Sequence, residues 1–156
     1  MAYPDLEDVI NAAVAQLQSN VAGNLAIVDA RKTEPLNPKP PVQWVFGDKV
    51  NLPQMPCVLV TGHDTTENED HFEWRKQTYQ LMVEVYYQDS DVERLSRILR
   101  RYGAAIDDTL RQDQTLGLSQ VRNITGIKQQ YWDTMSSKTG LFQVVRVIFN
   151  VRVYTD

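Results

Sequence analysis

The sequence predicts an α+β domain, a mostly antiparallel β-sheet with an N-terminal helix and one longer central helix packed on it. Three observations point there. Residues 72–88 alternate, with Tyr79, Leu81, Val83, Val85 and Tyr87 on one face and Thr78, Gln80, Met82, Glu84 and Tyr86 on the other, the period of a half-buried strand. Two segments, 6–17 and 90–111, carry a single apolar stripe at helical spacing and so each needs a sheet to lie on. The last 40 residues read as two long strands around the turn-rich stretch WDTMSSKTG.

In the first helix Leu6, Val9, Ile10, Ala13, Val14 and Leu17 form the stripe, with Pro4 at the start, Asp5, Glu7 and Asp8 at the positive end of the helix dipole, and Gly23 placed to stop it. LAIVDA, 25–30, then reads as a short strand. The stretch 31–41, RKTEPLNPKPP, holds four of the seven prolines. Proline cannot donate to a ladder, so this segment is expected to run over the surface as a flexible arm. Residues 42–46 and 57–61 read as strands, and 62–71 as an acidic loop leading into the long strand. SDVE, from Ser90 to Glu93, has the spacing of a capping box; Val92, Leu95, Ile98, Leu99, Tyr102, Ile106 and Leu110 follow as the stripe of the central helix. Gly103 inside it costs about 1 kcal/mol against alanine and is tolerable where the helix approaches the sheet closely. Along 141–154, Val145, Val147, Phe149, Val151 and Val153 make one apolar face. The predicted order is α-β-β-β-β-α-β-β in a single domain spanning 1–156.

Composition narrows the function. At 156 residues, 42% hydrophobic and 23% charged, the chain suits one globular domain. A formal charge of −4 argues against sequence-independent DNA binding. The single cysteine, Cys57, allows no internal disulfide, and beside Val58, Leu59 and Val60 it reads as a small buried hydrophobe. The acidic start of the chain lacks the basic region of a signal peptide, and no apolar run reaches the length of a membrane span, so a cytosolic protein without a membrane partner is expected.

Residues 62–74, GHDTTENEDHFEW, hold both histidines, His63 and His71, among Asp64, Glu67, Glu69, Asp70 and Glu73. As a calcium loop the stretch puts Glu69 where glycine is needed and Arg75 where a bidentate glutamate is needed. It contains no HExxH, and there is no GxSxG, GxxxxGK[ST] or GxGxxG elsewhere. The reading is a solvated acidic connection with no catalytic residue, metal or cofactor; the alternative is a small metal-assisted enzyme using His63, His71 and their carboxylates. Arg94, Arg97 and Arg101 recur along the central helix opposite its apolar stripe, a solvated face or a contact surface for an acidic neighbour. Arg31, Lys32 and Lys39 in the arm oppose in sign Asp64, Glu67, Glu69 and Asp70. Together these ten residues are the candidate contacts between copies.

The N-terminal amphipathic helix, the excursion EPLNPKPP, the stretch LPQMPCVLVTG, the long strand, the capped helix and the closing hairpin that ends RVIFNVRVYTD follow one another in an order that resembles the tail-terminator or neck-terminator (tail-completion) proteins of tailed bacteriophages. The resemblance implies a small α+β subunit that forms a hexameric ring, caps the tail tube, stops its polymerisation and docks the tail to the head connector. Its partners would be further copies of itself, the tail tube protein, the sheath protein in contractile tails, and a connector or adaptor protein. DNA would pass through an acidic lumen without specific binding, and the protein would reside in the virion after assembly in the host cytoplasm. The family offers no catalytic residues to carry over.

Overall fold

The computed structural model describes residues 4–46, 54–71, 74–137 and 140–155, and within the strands the side chains at 46, 63–71, 74–76, 137 and 155 lie outside that description. The elements run α1 (Leu6–Ala30), β1 (Gln43–Phe46), β2 (Cys57–His71), β3 (Trp74–Gln88), α2 (Val92–Gln112), β4 (Val121–Tyr131), β5 (Met135–Ser137) and β6 (Gly140–Thr155). They form the α+β arrangement the sequence predicts. The sheet has six strands in the order β1-β2-β3-β6-β4, with β5 paired to β6. All pairings are antiparallel except β1 with β2, which is parallel.

Both helices lie on one face of this sheet, because their apolar stripes and one face of the strands supply a common core. Val9, Ala13, Val14 and Leu17 of α1, and Leu95, Ile98, Leu99, Tyr102, Ile106 and Leu110 of α2, meet Tyr79, Leu81, Val83, Val85 and Tyr87 of β3 and Val145, Val147, Phe149, Val151 and Val153 of β6. Each alternation expected for the two long strands is therefore real, and Val92 alone of the α2 stripe is exposed. The opposite face of the sheet carries a smaller cluster, Cys57, Leu59, Tyr86 and Val144, with Cys57 fully buried as its apolar neighbours suggested.

Three expectations need correction. The segment 25–30 is not a strand: α1 runs unbroken through Gly23 to Ala30 and is the longer of the two helices. Val21, Leu25 and Val28 continue the α1 stripe at i, i+4 and i+7 and are buried, so burial outweighs the glycine's propensity cost. Nothing lies within 4 Å of a Cβ at Gly23, which sits on the wet side. The N-cap of α2 is Asp91, not Ser90, its carboxylate accepting from the N–H groups of Glu93 and Arg94. At α1 the cap is a reciprocal pair, Asp5 accepting from Asp8 N–H and Asp8 from Asp5 N–H. Third, 62–71 is not a loop. Its backbone continues β2 and pairs with β3 as far as His71 opposite Trp74, with irregularities at Gly62/Asp64 and Glu69/His71.

The two helices lock together through a buried polar contact. The Asn24 amide on α1 donates to the Thr109 hydroxyl at 2.8 Å and to Gln112 Oε1 at 3.1 Å, while Gln112 Nε2 donates back to Asn24 Oδ1 at 3.1 Å. The amide nitrogen donates twice and its oxygen accepts once, so neither is left unpaired, which makes its burial tolerable. Gly103 allows α2 to approach β4, for a Cβ there would stand 2.6 Å from both Gln129 Oε1 and the Tyr131 hydroxyl. Gly126 serves differently. It sits in the irregular stretch of β4 between Thr125 and Lys128 with φ +64°, and a Cβ would stand 2.9 Å from Asn150 Nδ2. Gly126→Ala is expected to destabilise the domain by about 1–2 kcal/mol in urea denaturation, the cost of placing an L-residue in the left-handed region; a neutral result would mean that the turn relaxes without glycine.

Candidate interaction surface

From the end of α1 the chain crosses α2 before entering β1, and it crosses as a fastened strap rather than a loose arm. Asp29, in the last turn of α1, is the anchor. Its Oδ1 accepts from Leu36 N–H at 3.0 Å and from Arg101 Nη1, and its Oδ2 accepts from Asn37 N–H at 3.0 Å. Arg101 Nη2 donates to the Glu34 carbonyl at 2.9 Å. Arg94 donates through Nε to Asp89 at 3.0 Å and through Nη2 to the Leu36 carbonyl at 2.9 Å. Further along, Lys39 N–H donates to the Tyr87 hydroxyl at 3.1 Å and the Tyr102 hydroxyl donates to the Lys39 carbonyl. Leu36 is buried beneath these bonds, and Asn37 makes the bend with φ 49°, a conformation asparagine tolerates.

The electrostatics follow from burial. Burial alone would raise the Asp29 pKa, but hydrogen bonds from Leu36, Arg101 and Asn37 and the charge of Arg101 together hold it below its ordinary value of 3.8. Tyr102 and Tyr87 are both raised, chiefly by burial, so both stay neutral hydroxyls able to serve the strap backbone.

The three arginines of α2 singled out in the sequence thus do three different jobs. Arg101, expected on a solvated face, is 6% exposed and paired with Asp29; its sequence position hid this because its partner lies 72 residues away. Arg94 grips the strap. Arg97 spans Glu93 at 2.7 Å and Glu34 at 3.2 Å in the open, where such pairs stabilise little. Sequence reasoning passed over Arg100. Among the described residues Arg100 and Lys32 have no ion pair, and with Arg97 and Arg101 they line a cavity of about 210 Å³. Arg31 and Lys39 are exposed. Arg100 stands one turn before Gly103, where a Cβ would meet Gln129 and the Tyr131 hydroxyl, so it lies on the part of α2 that approaches β4.

The acidic run is elsewhere. Asp64, Glu67, Glu69 and Asp70 have their backbone on β2, beyond the last residue that β1 covers, Phe46 opposite Val60; their side chains, like those of His63 and His71, lie outside the described residues. The backbone alone bears on the metal alternative. His63 and His71 stand eight residues apart on one extended strand, about 26 Å at the usual rise, so one ion cannot take both from a single chain.

On the face of the sheet opposite the helices, Glu84 is buried, accepts from the Tyr86 hydroxyl at 3.2 Å and lies 3.6 Å from Arg146 Nη2. The Arg146 guanidinium stacks 4.3 Å from the centroid of the Trp132 ring, a cation–π contact at the surface. No helix among the described residues is long and apolar enough to cross a membrane.

No family model matches the chain, and a search of curated proteins finds no match. Among solved structures it is similar to a chain from the virion of a native gene transfer agent (GTA) particle, at 14% identity and a TM-score of 0.45, over 92% of this chain and 98% of that one.

Proposed function

We propose that this chain is a structural virion protein without catalytic activity, a tail or neck terminator of the tailed-bacteriophage type whose copies close into a ring of about six. The ring caps the tail tube, and joins the tail to the head connector; its partners are the tail tube protein, the connector or adaptor protein and, in a contractile tail, the sheath protein. DNA crosses the lumen without specific contacts, in keeping with the formal charge of −4.

The observation that supports this reading most is a pair of sheet edges that carry no partner strand among the described residues. Helices cover one face only, β4 is terminal in the strand order, and β2 runs on past β1 from Thr61 to His71. An exposed edge invites pairing with another chain. The two edges differ, so a contact between them is head-to-tail, and head-to-tail contacts close into rings when the rotation fits. The succession of N-terminal helix, Pro-rich excursion, long strand, capped helix and closing strands, on which the resemblance rests, is kept, with α1 absorbing what read as the first strand. The metal-assisted alternative loses its main support with the separation of His63 and His71 along β2.

The test is light scattering on the purified protein, with electron microscopy of the peak. The expected mass is about six times the 17.9 kDa of the subunit, with annular particles. A mass that stays at one subunit across concentration and salt would sink the ring.

A further inference from the structure

Building on the ring reading, we infer that the pocket of Lys32, Arg97, Arg100 and Arg101 receives the acidic run Asp64–Asp70 of the next copy, so that each subunit–subunit contact is a carboxylate–guanidinium joint as well as an edge contact. Two of the pocket's cations are already spent: Arg101 on Asp29 and Arg97 on Glu93 and Glu34. Lys32 and Arg100 are exposed and without an ion pair among the described residues. A site holding two uncompensated cations beside two fixed guanidinium groups fits a carboxylate better than any neutral group.

The run cannot reach the pocket of its own chain. A Cβ at Gly62 would stand 2.8 Å from Leu6, the first residue of α1, and the Tyr79 hydroxyl opposite Thr65 donates to the Pro4 carbonyl. The acidic run therefore leaves the subunit at the start of α1. Lys32 lies just beyond the other end of the helix, about 37 Å away at 1.5 Å per residue. Opposite charges held at opposite ends of one rigid helix can meet only between copies. Arg100 lies one turn before Gly103, the point where α2 meets Gln129 and Tyr131 of β4, and the acids lie on β2, so the charges and the two edges left without a partner strand among the described residues call for the same head-to-tail contact. The contact also leaves the intramolecular role of Arg101 intact.

The experiment compares assembly by light scattering in the full chain for wild type, Lys32→Glu with Arg100→Glu, Glu67→Lys with Glu69→Lys, and all four together. Lys32 and Arg100 are solvent-facing, and unchanged thermal unfolding confirms that each variant is folded. Either double reversal is expected to raise the concentration needed for assembly about tenfold or more, since like charges then face each other, and the fourfold exchange to restore it. Added salt should weaken the wild-type assembly. If wild type assembles and Lys32→Glu with Arg100→Glu assembles equally well, the joint is wrong and the ring stands. If assembly is lost but the exchange fails to restore it, the acidic run is not the occupant. Binding of a short DNA duplex at physiological salt that disappears in Lys32→Glu with Arg100→Glu would assign the pocket to phosphate instead. A wild type that never leaves the monomer overturns both readings.

Discussion

Phe149→Ala is expected to destabilise the domain by about 3–5 kcal/mol, the range for a large aromatic truncated in a filled core. Phe149 is fully buried on β6, where it pairs across from Leu81 of β3 and faces the helix layer. The ring is bounded by β3, where Leu81 stands opposite, and by the helix layer above, while on the β4 side Phe149 falls at the register shift between Thr125 and Lys128. Urea denaturation gives the number directly. A change below about 1 kcal/mol would mean that this face collapses freely, which the fully buried valines at 145, 147, 151 and 153 on the same strand contradict.

The second large effect belongs to Asp29 and Arg101. Asp29→Ala removes the acceptor for Leu36 N–H, Asn37 N–H and Arg101 Nη1 together and leaves a buried guanidinium short of its counter-charge. The expected cost is about 3–5 kcal/mol, typical of breaking one side of a buried pair. Arg101→Ala should cost a similar amount, and the double variant distinctly less than the sum, because no uncompensated charge then remains. Additive losses would show that the pair does not act as a unit. The same carboxylate gives a pH signature. Its folded-state pKa lies below its ordinary value of 3.8, so its stabilisation is present above that value and drains away as the pH falls through the lower, folded pKa. In Arg101→Ala the slope of stability against pH below about 4 should be shallower.

The parts of the fold that a reader of the sequence can see are those whose partners announce themselves by period. The strand 74–88, the stripe of α2 and the apolar face of β6 are all written in local alternation, and each is where the sequence puts it. Two segments were illegible for opposite reasons. The run 25–30 is apolar enough to pass as a strand and follows a glycine, yet its helical fate rests on Val21, Leu25 and Val28 sharing a face with residues a turn or more earlier. Residues 62–71 are too acidic and polar to signal a strand, and they are one only because β3 offers a ladder to Trp74. The strap was half legible. Its prolines mark it as outside the sheet, but what ties it down is Asp29, Arg94, Tyr87 and Tyr102, residues scattered over the chain and joined only by the fold. Arg100 escaped notice in the sequence because its isolation becomes visible only once its neighbours are seen to be paired.

The position of β6 has a bearing on how the protein is made. It follows every other element in the chain, yet it is inserted between β3 and β4 rather than added at an edge. While a ribosome is still translating the preceding residues, β3 is paired on one side only and the greasy faces of both helices have no complete surface to settle on. Non-local strand pairing of this kind is slow and leaves sticky intermediates in the meantime. The domain must therefore finish folding after β6 has emerged, as one late event that closes the sheet. A nascent or interrupted chain ending before residue 140 would present the whole inner edge of β3, and so would behave as a target for chaperones and proteases.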